Sequence, residues 1–229
     1  MWYAKPLLGY LRDSTEAISN ATEMKTFLMA HNWTLNAVCA MLGNIGHEGG
    51  YNPWRWENDW QVGASAIMTK QFAYTATFEE ARTHGYGMFG FTPPKNYCNT
   101  TSETYSGYAP NFSDEAGNAT DGQAQTYWIT QHPEQFQNVP SYSPYPESLW
   151  TYSYFTTSTQ NVQLLAEVWC YNWEKPADPS ASLAGRKDEA QYWWDYFEGG
   201  PTPPTPPKPL RLKKFKWWMY MPPPRPMPF

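Results

Sequence analysis

Cysteine is scarce in this chain: Cys39, Cys98 and Cys170 are the only three among 229 residues. They are too few and too widely spaced for a disulfide framework or a zinc site. The four histidines stand at 31, 47, 84 and 132 without an i,i+4 pair, so neither a metal nor a cofactor is expected. No stretch reaches the roughly 18 apolar residues that a membrane-crossing helix needs. The opening Met1-Trp2-Tyr3-Ala4-Lys5-Pro6 also lacks the apolar run of a secretory signal. Action outside the cell of synthesis would therefore require another route of delivery. Charge is sparse too, at 16% of residues, and unevenly placed. Residues 200–229 hold Lys208, Arg211, Lys213, Lys214, Lys216 and Arg225 and no acid, so of the net −5 the tail carries +6 and residues 1–199 carry −11. Phosphate backbones are bound by clustered cations, so an acidic body argues against nucleic acid as the main partner of the domain.

Aromatic residues are plentiful instead, at 18%, with 13 Trp and 17 Tyr. Such side chains serve cores, interfaces and sugar stacking alike, so composition names no ligand. The length suits one compact domain with an extension. Helical periodicity marks four segments. Asn20 followed by Glu23 reads as a capping signal ahead of Met24, Phe27 and Leu28. Thr34 caps a second helix whose apolar stripe is Val38, Met41, Leu42 and Ile45. A third runs through Val162, Leu165, Ala166, Trp169 and Trp173 to a stop near Pro176. The fourth carries Leu183, Arg186, Ala190, Trp193 and Phe197 up to Gly199-Gly200. Asp121 is a cap candidate for a shorter helix through Tyr127 and Trp128. Trp169, Trp173 and Trp193, at helical spacing, are expected in the core, and Arg186 in an ion pair or cap. The predicted fold is mainly α, with long aromatic-rich loops over about 49–120 and an irregular excursion over 132–158. A boundary at about 199 separates this domain, residues 1–199, from a tail over residues 200–229. There 11 of the 22 prolines accompany a basic, aromatic stretch, Lys213-Lys-Phe-Lys-Trp-Trp-Met-Tyr-Met221. Proline runs of this kind form semi-rigid extended spacers.

Glu48 is the sharpest candidate for chemistry. It follows Ile45 by three residues and Met41 by seven, on the apolar face of its helix. Gly49-Gly50 places it in the last turn. Partial burial and the negative end of the helix dipole both favour a neutral carboxyl, the form that protonates a departing sugar oxygen. On periodicity alone, a solvated glutamate at a frayed helix end stands equally with this reading.

The surrounding blocks add a resemblance. Leu42-Gly-Asn-Ile-Gly-His-Glu-Gly-Gly-Tyr-Asn-Pro53 resembles the helix-to-loop motif of the phage tail lysozyme family, whose glutamate is the catalytic acid. That glutamate falls on Glu48. Gly85-Tyr-Gly-Met-Phe-Gly-Phe-Thr-Pro93 is similar to the family's glycine-rich cleft segment. Similar blocks follow in order at Asp121 to Trp128, Tyr171 to Pro176 and Arg186 to Trp194. Where members usually carry Gln-Trp, this chain has Gly90-Phe91, and His47 replaces a small polar residue before the acid. The resemblance implies a lysozyme-like helical domain and a virion-borne glycosidase that opens the host's peptidoglycan locally, with Glu48 as general acid.

The other site expectations cluster in the long loops. Tyr51, Trp54, Trp56, Tyr86, Gly87, Phe89, Phe91 and Thr92 are the candidates for holding the glycan, with Trp60 nearby. Aromatic faces there stack on sugar rings, about half of them only packing the loop down. Glu57 and Asp59 are the candidates for a second carboxylate, as base, nucleophile or stabiliser of an oxocarbenium-like transition state; surface loop acids are the competing reading. A lytic transglycosylase would need Glu48 alone. A non-catalytic module that holds glycan or neighbouring tail subunits is the alternative to an enzyme. The expected partners are peptidoglycan and, through residues 201–229, other phage tail proteins. Contact of that tail with anionic lipid or wall polymer is its alternative role.

Overall fold

A computed structural model describes residues 1–4, 9–48, 50–55, 85–91, 120–136 and 143–199. Among these the architecture is mainly helical: α1 (Thr15–Ala30), α2 (Leu35–Glu48), α3 (Thr120–Gln131), α4 (Tyr152–Thr157), α5 (Val162–Trp169) and α6 (Pro179–Glu198). A 3₁₀ turn at Pro133–Gln135 follows α3, and a π turn at Cys170–Glu174 continues α5. None of the described helices is long and apolar enough to cross a membrane.

Helix α2 is the central element, packed against both α5 and α6. Its stripe reads as expected: Val38, Met41, Leu42 and Ile45 are fully buried, as are Ala37, Cys39 and Ala40. The Thr34 hydroxyl accepts from Ala37 N at 3.2 Å, so the predicted cap is in place. Gly43 lets α6 approach closely: a Cβ there would overlap the Arg186 carbonyl oxygen and lie 2.6 Å from Ala190 N. Around this centre, Trp33, Phe136, Phe155 and Trp169 form an aromatic layer with ring centroids 5.2 to 6.0 Å apart.

Several local expectations are corrected. Helix α1 starts five residues before Asn20, capped by Ser14, whose hydroxyl accepts from Ala17 N. Asn20 is buried inside the helix, where its amide accepts from Tyr3 N and donates to the Tyr3 and Tyr51 carbonyls. Asp121 lies within the first turn of α3 rather than before it; its carboxylate accepts from Trp54 Nε1 at 2.7 Å. The excursion over 132–158 contains α4, capped by Thr151. The fourth predicted helix starts at Pro179 after an Asp178 cap and stops at Gly199, whose φ of +77° suits glycine. The tail from 200 onward lies outside the described residues.

Candidate functional site

The last turn of α2 delivers Glu48 to the protein's edge, its side chain 29% exposed and paired with an Arg186 that is 1% exposed. Arg186 projects from α6 and is fixed on three sides. Its Nη2 donates to Glu48 Oε1, its Nη1 to Asn44 Oδ1 at 2.9 Å and its Nε to Ser182 Oγ at 3.0 Å. Asn44, one helical turn before Glu48, is fixed in turn by donating to the Ala40 and Ala166 carbonyls. The nearest partner of Glu48 is thus a buried guanidinium, not the bare apolar stripe expected from periodicity. The carboxyl is directed by a partner that is itself held by two further hydrogen bonds.

Glu174 occupies the same electrostatic neighbourhood. It closes the π turn, in which Lys175 N donates to Cys170 O at 2.9 Å. The extra residue in that turn lets Trp169 Nε1 donate to Glu174 Oε1 at 3.0 Å. Burial, reinforced by the charge of Glu48, pushes the Glu174 carboxyl up to about 8, against the opposing pull of Arg186 and Lys175. His47 is held below its usual range, first by burial and then by Arg186.

Glu174 also lines a cleft of about 190 Å³ together with Phe89, Gly90, Phe91, Trp128, Gln135 and Trp173. The rings of Phe91 and Trp128 meet edge to face at 5.0 Å, and Trp128 meets Trp173 at 6.2 Å. A Cβ at Gly90, where φ is +58°, would meet nothing within 4 Å. Phe89, Phe91 and Trp128 show only their edges to this cleft, beside the partly exposed Trp173 and the Glu174 carboxyl. The model of the phage tail lysozyme family matches residues 19–197.

The chain belongs to the phage tail lysozyme family. It is also similar to Morphogenesis protein 1 of Bacillus phage B103, at 26% identity over 204 residues, covering 87% of this chain and 44% of the relative. The chain thus spans less than half the length of that relative.

Within this family member, the residues predicted from sequence fall into three groups. Phe89 and Phe91 line the cleft, although most of their surface is enclosed. Tyr51, Trp54 and Tyr86 are buried, so their rings pack the core rather than offering a face to a sugar. Tyr51, at φ +60°, donates from its hydroxyl to Glu189 Oε1 at 2.6 Å and accepts from Trp193 Nε1 at 2.6 Å. Gly87 is needed for packing: at φ +81°, a Cβ there would lie 2.6 Å from Gln125 Oε1. Gln125 ties the two loop pieces together, accepting from Met88 N and donating to the Pro53 carbonyl. Trp56, Glu57, Asp59, Trp60 and Thr92 lie outside the described residues.

Sequence reasoning missed Glu174, Gln135 and Trp128 as cleft residues and assigned Trp173 wholly to the core. Trp173 stacks on buried Trp169 at 4.7 Å, yet its outer part lines the cleft. The available signal was the block Tyr171 to Pro176, a lone acid between Trp173 and Lys175 at the end of an apolar helix.

Proposed function

We propose that this chain is a tail-borne glycosidase that cuts the glycan of bacterial peptidoglycan, with Glu48 as general acid. The observation that carries this reading is a carboxyl at the end of the central helix, aimed by a buried arginine and within electrostatic reach of the aromatic cleft's own carboxyl. Family membership supports it. The name of the phage relative, a morphogenesis protein, supports only the virion setting of that reading. Protonation of the bridging oxygen weakens its bond to the anomeric carbon, and the aromatic wall holds the ring while the oxocarbenium-like state forms. Water attack on that carbon gives hydrolysis; attack by the sugar's own hydroxyl gives the transglycosylase outcome. In the virion, residues 201–229 would attach the domain to other tail proteins through their aromatic, basic stretch.

Glu48→Gln tests the assignment. Clearing of peptidoglycan embedded in a gel should fall at least about 100-fold, with an unchanged helical circular dichroism spectrum. Clearing at the wild-type rate by the folded variant would remove Glu48 from the chemistry. No clearing by the wild-type protein would favour a module that holds glycan without cutting it.

A further inference from the structure

A second groove shares no lining residue with the cleft. It lies between the 3₁₀ turn and the start of α4, with a volume of about 660 Å³, in the range that takes a ligand-sized segment. Pro133, Phe136 and Tyr152 supply its apolar lining, Phe136 by little more than an edge. Its charged lining is acidic, Glu134 and Glu147, and no basic residue lines it among the described residues. Glu134 pairs with His132 yet keeps a side chain 54% exposed. Glu147 is exposed and makes no ion pair or hydrogen bond among the described residues. Leu149 and Tyr154, next in sequence to this lining, are exposed apolar side chains as well.

The chain itself carries a segment of matching chemistry. Residues 201–211 read Pro-Thr-Pro-Pro-Thr-Pro-Pro-Lys-Pro-Leu-Arg, and the polyproline II helix that such a run favours repeats every three residues. That period puts Pro203, Pro206 and Pro209 on one ridge, Pro204, Pro207 and Leu210 on the next, and Thr205, Lys208 and Arg211 on the third. Grooves that bind such helices pair an aromatic floor with the prolines, at little cost in chain entropy. Here acids on the groove add a match for the third ridge. Reach is sufficient. Helix α6 runs antiparallel to α2, with Arg186 at Glu48 and Ala190 against Gly43, so Gly199 comes level with the start of α2. That start is held to α4: Thr34 N donates to the Thr156 carbonyl at 2.9 Å, and Asn36 Nδ2 to the Gln160 carbonyl at 2.9 Å. From α6 across α2 to α4 is two helix-packing distances, about 20 Å. An extended run from Gly199 spans about 22 Å by Pro206 and about 37 Å by Arg211.

We propose that residues 203–211 bind this groove of their own domain as an extended proline ridge, with Lys208 and Arg211 meeting Glu134 and Glu147. The aromatic stretch from Phe215 onward is left for the attachment proposed above. Docking of this kind fixes where that stretch leaves the domain, on the side of α4.

Hydrogen–deuterium exchange of the full chain tests the groove, comparing wild type with Lys208→Ala/Arg211→Ala, two changes that touch none of the described helices. Amides of residues 130–136 and 147–155 should exchange at least about threefold faster in the variant. High salt should remove the same protection from wild type. Exchange that is equal in the two proteins overturns the proposal and leaves the groove to another occupant. Glu134→Gln/Glu147→Gln, with an unchanged circular dichroism spectrum, reads the contact from its other side. Trypsin should cut after Arg211 at least about threefold faster in this variant than in wild type, and equal cutting contradicts the pairing. Protection that grows with protein concentration, together with a doubled mass in sedimentation, would give the groove to the tail of a second copy and overturn docking within one chain.

Discussion

Replacing Arg186 with Leu would leave Asn44 Oδ1 without its donor and Glu48 without its counter-charge. Breaking a buried pair by removing one partner costs about 3–5 kcal/mol. Glu48 retains partial access to water, so the lower end, about 3 kcal/mol, is expected. Urea unfolding measures it, and an unchanged midpoint would show that the pair does not hold α6 to α2. Glu174 makes the opposite contribution as pH rises. Its carboxyl is raised from 4.5 to about 8 in the folded protein, so between those values the folded state binds a proton that the unfolded chain releases. Stability then falls as pH increases through that window and levels off above it. Thermal unfolding of wild type relative to Glu174→Gln should therefore worsen steadily from pH 5 to pH 8. Parallel pH curves for the two proteins would mean that Glu174 titrates like an ordinary surface acid.

At the scale of elements, the contact between α2 and α6 positions the site, and Gly43 sets how closely they approach. Gly43→Ala forces backbone atoms apart, and overpacking of this kind costs about 1–3 kcal/mol. Moving α6 outward also draws Arg186 from Glu48, so wall-clearing activity should drop along with the melting temperature. A variant with wild-type stability would show that the helices have slack. Helix α2 was legible in the sequence because the Thr34 cap, the stripe and the stop after Glu48 agree with one another. The start of α1 was misread because Asn20 and Glu23 imitate a capping box, while the amide of Asn20 is used to hold Tyr3 and Tyr51. Glu174 was hidden for a geometric reason. It follows Trp169 by five positions, a spacing that does not face across an α-helix but does across a π turn, and side-chain patterns do not distinguish the two. Two of the loop aromatics, Tyr51 and Trp54, are buried because their partners lie far away in sequence. Trp54 finds Asp121 and Tyr51 finds Glu189 and Trp193, and these pairings draw the rings inward.

Over the whole molecule, an acidic body of −11 precedes a tail of +6. The body's described residues form a helical lysozyme-like domain with its cleft between the 85–91 loop, α3 and the π turn. The family match covers residues 19–197, and attachment through the tail is the proposal made above. All of the enzymatic reading depends on Glu48-dependent cleavage of glycan strands. The direct measurement is mass spectrometry of the soluble fragments released from purified peptidoglycan by the full chain. Disaccharide-containing fragments with new reducing or anhydro ends are expected from wild type and should be missing with Glu48→Gln. Intact strands after wild-type digestion, or the same fragments from the variant, would contradict the account.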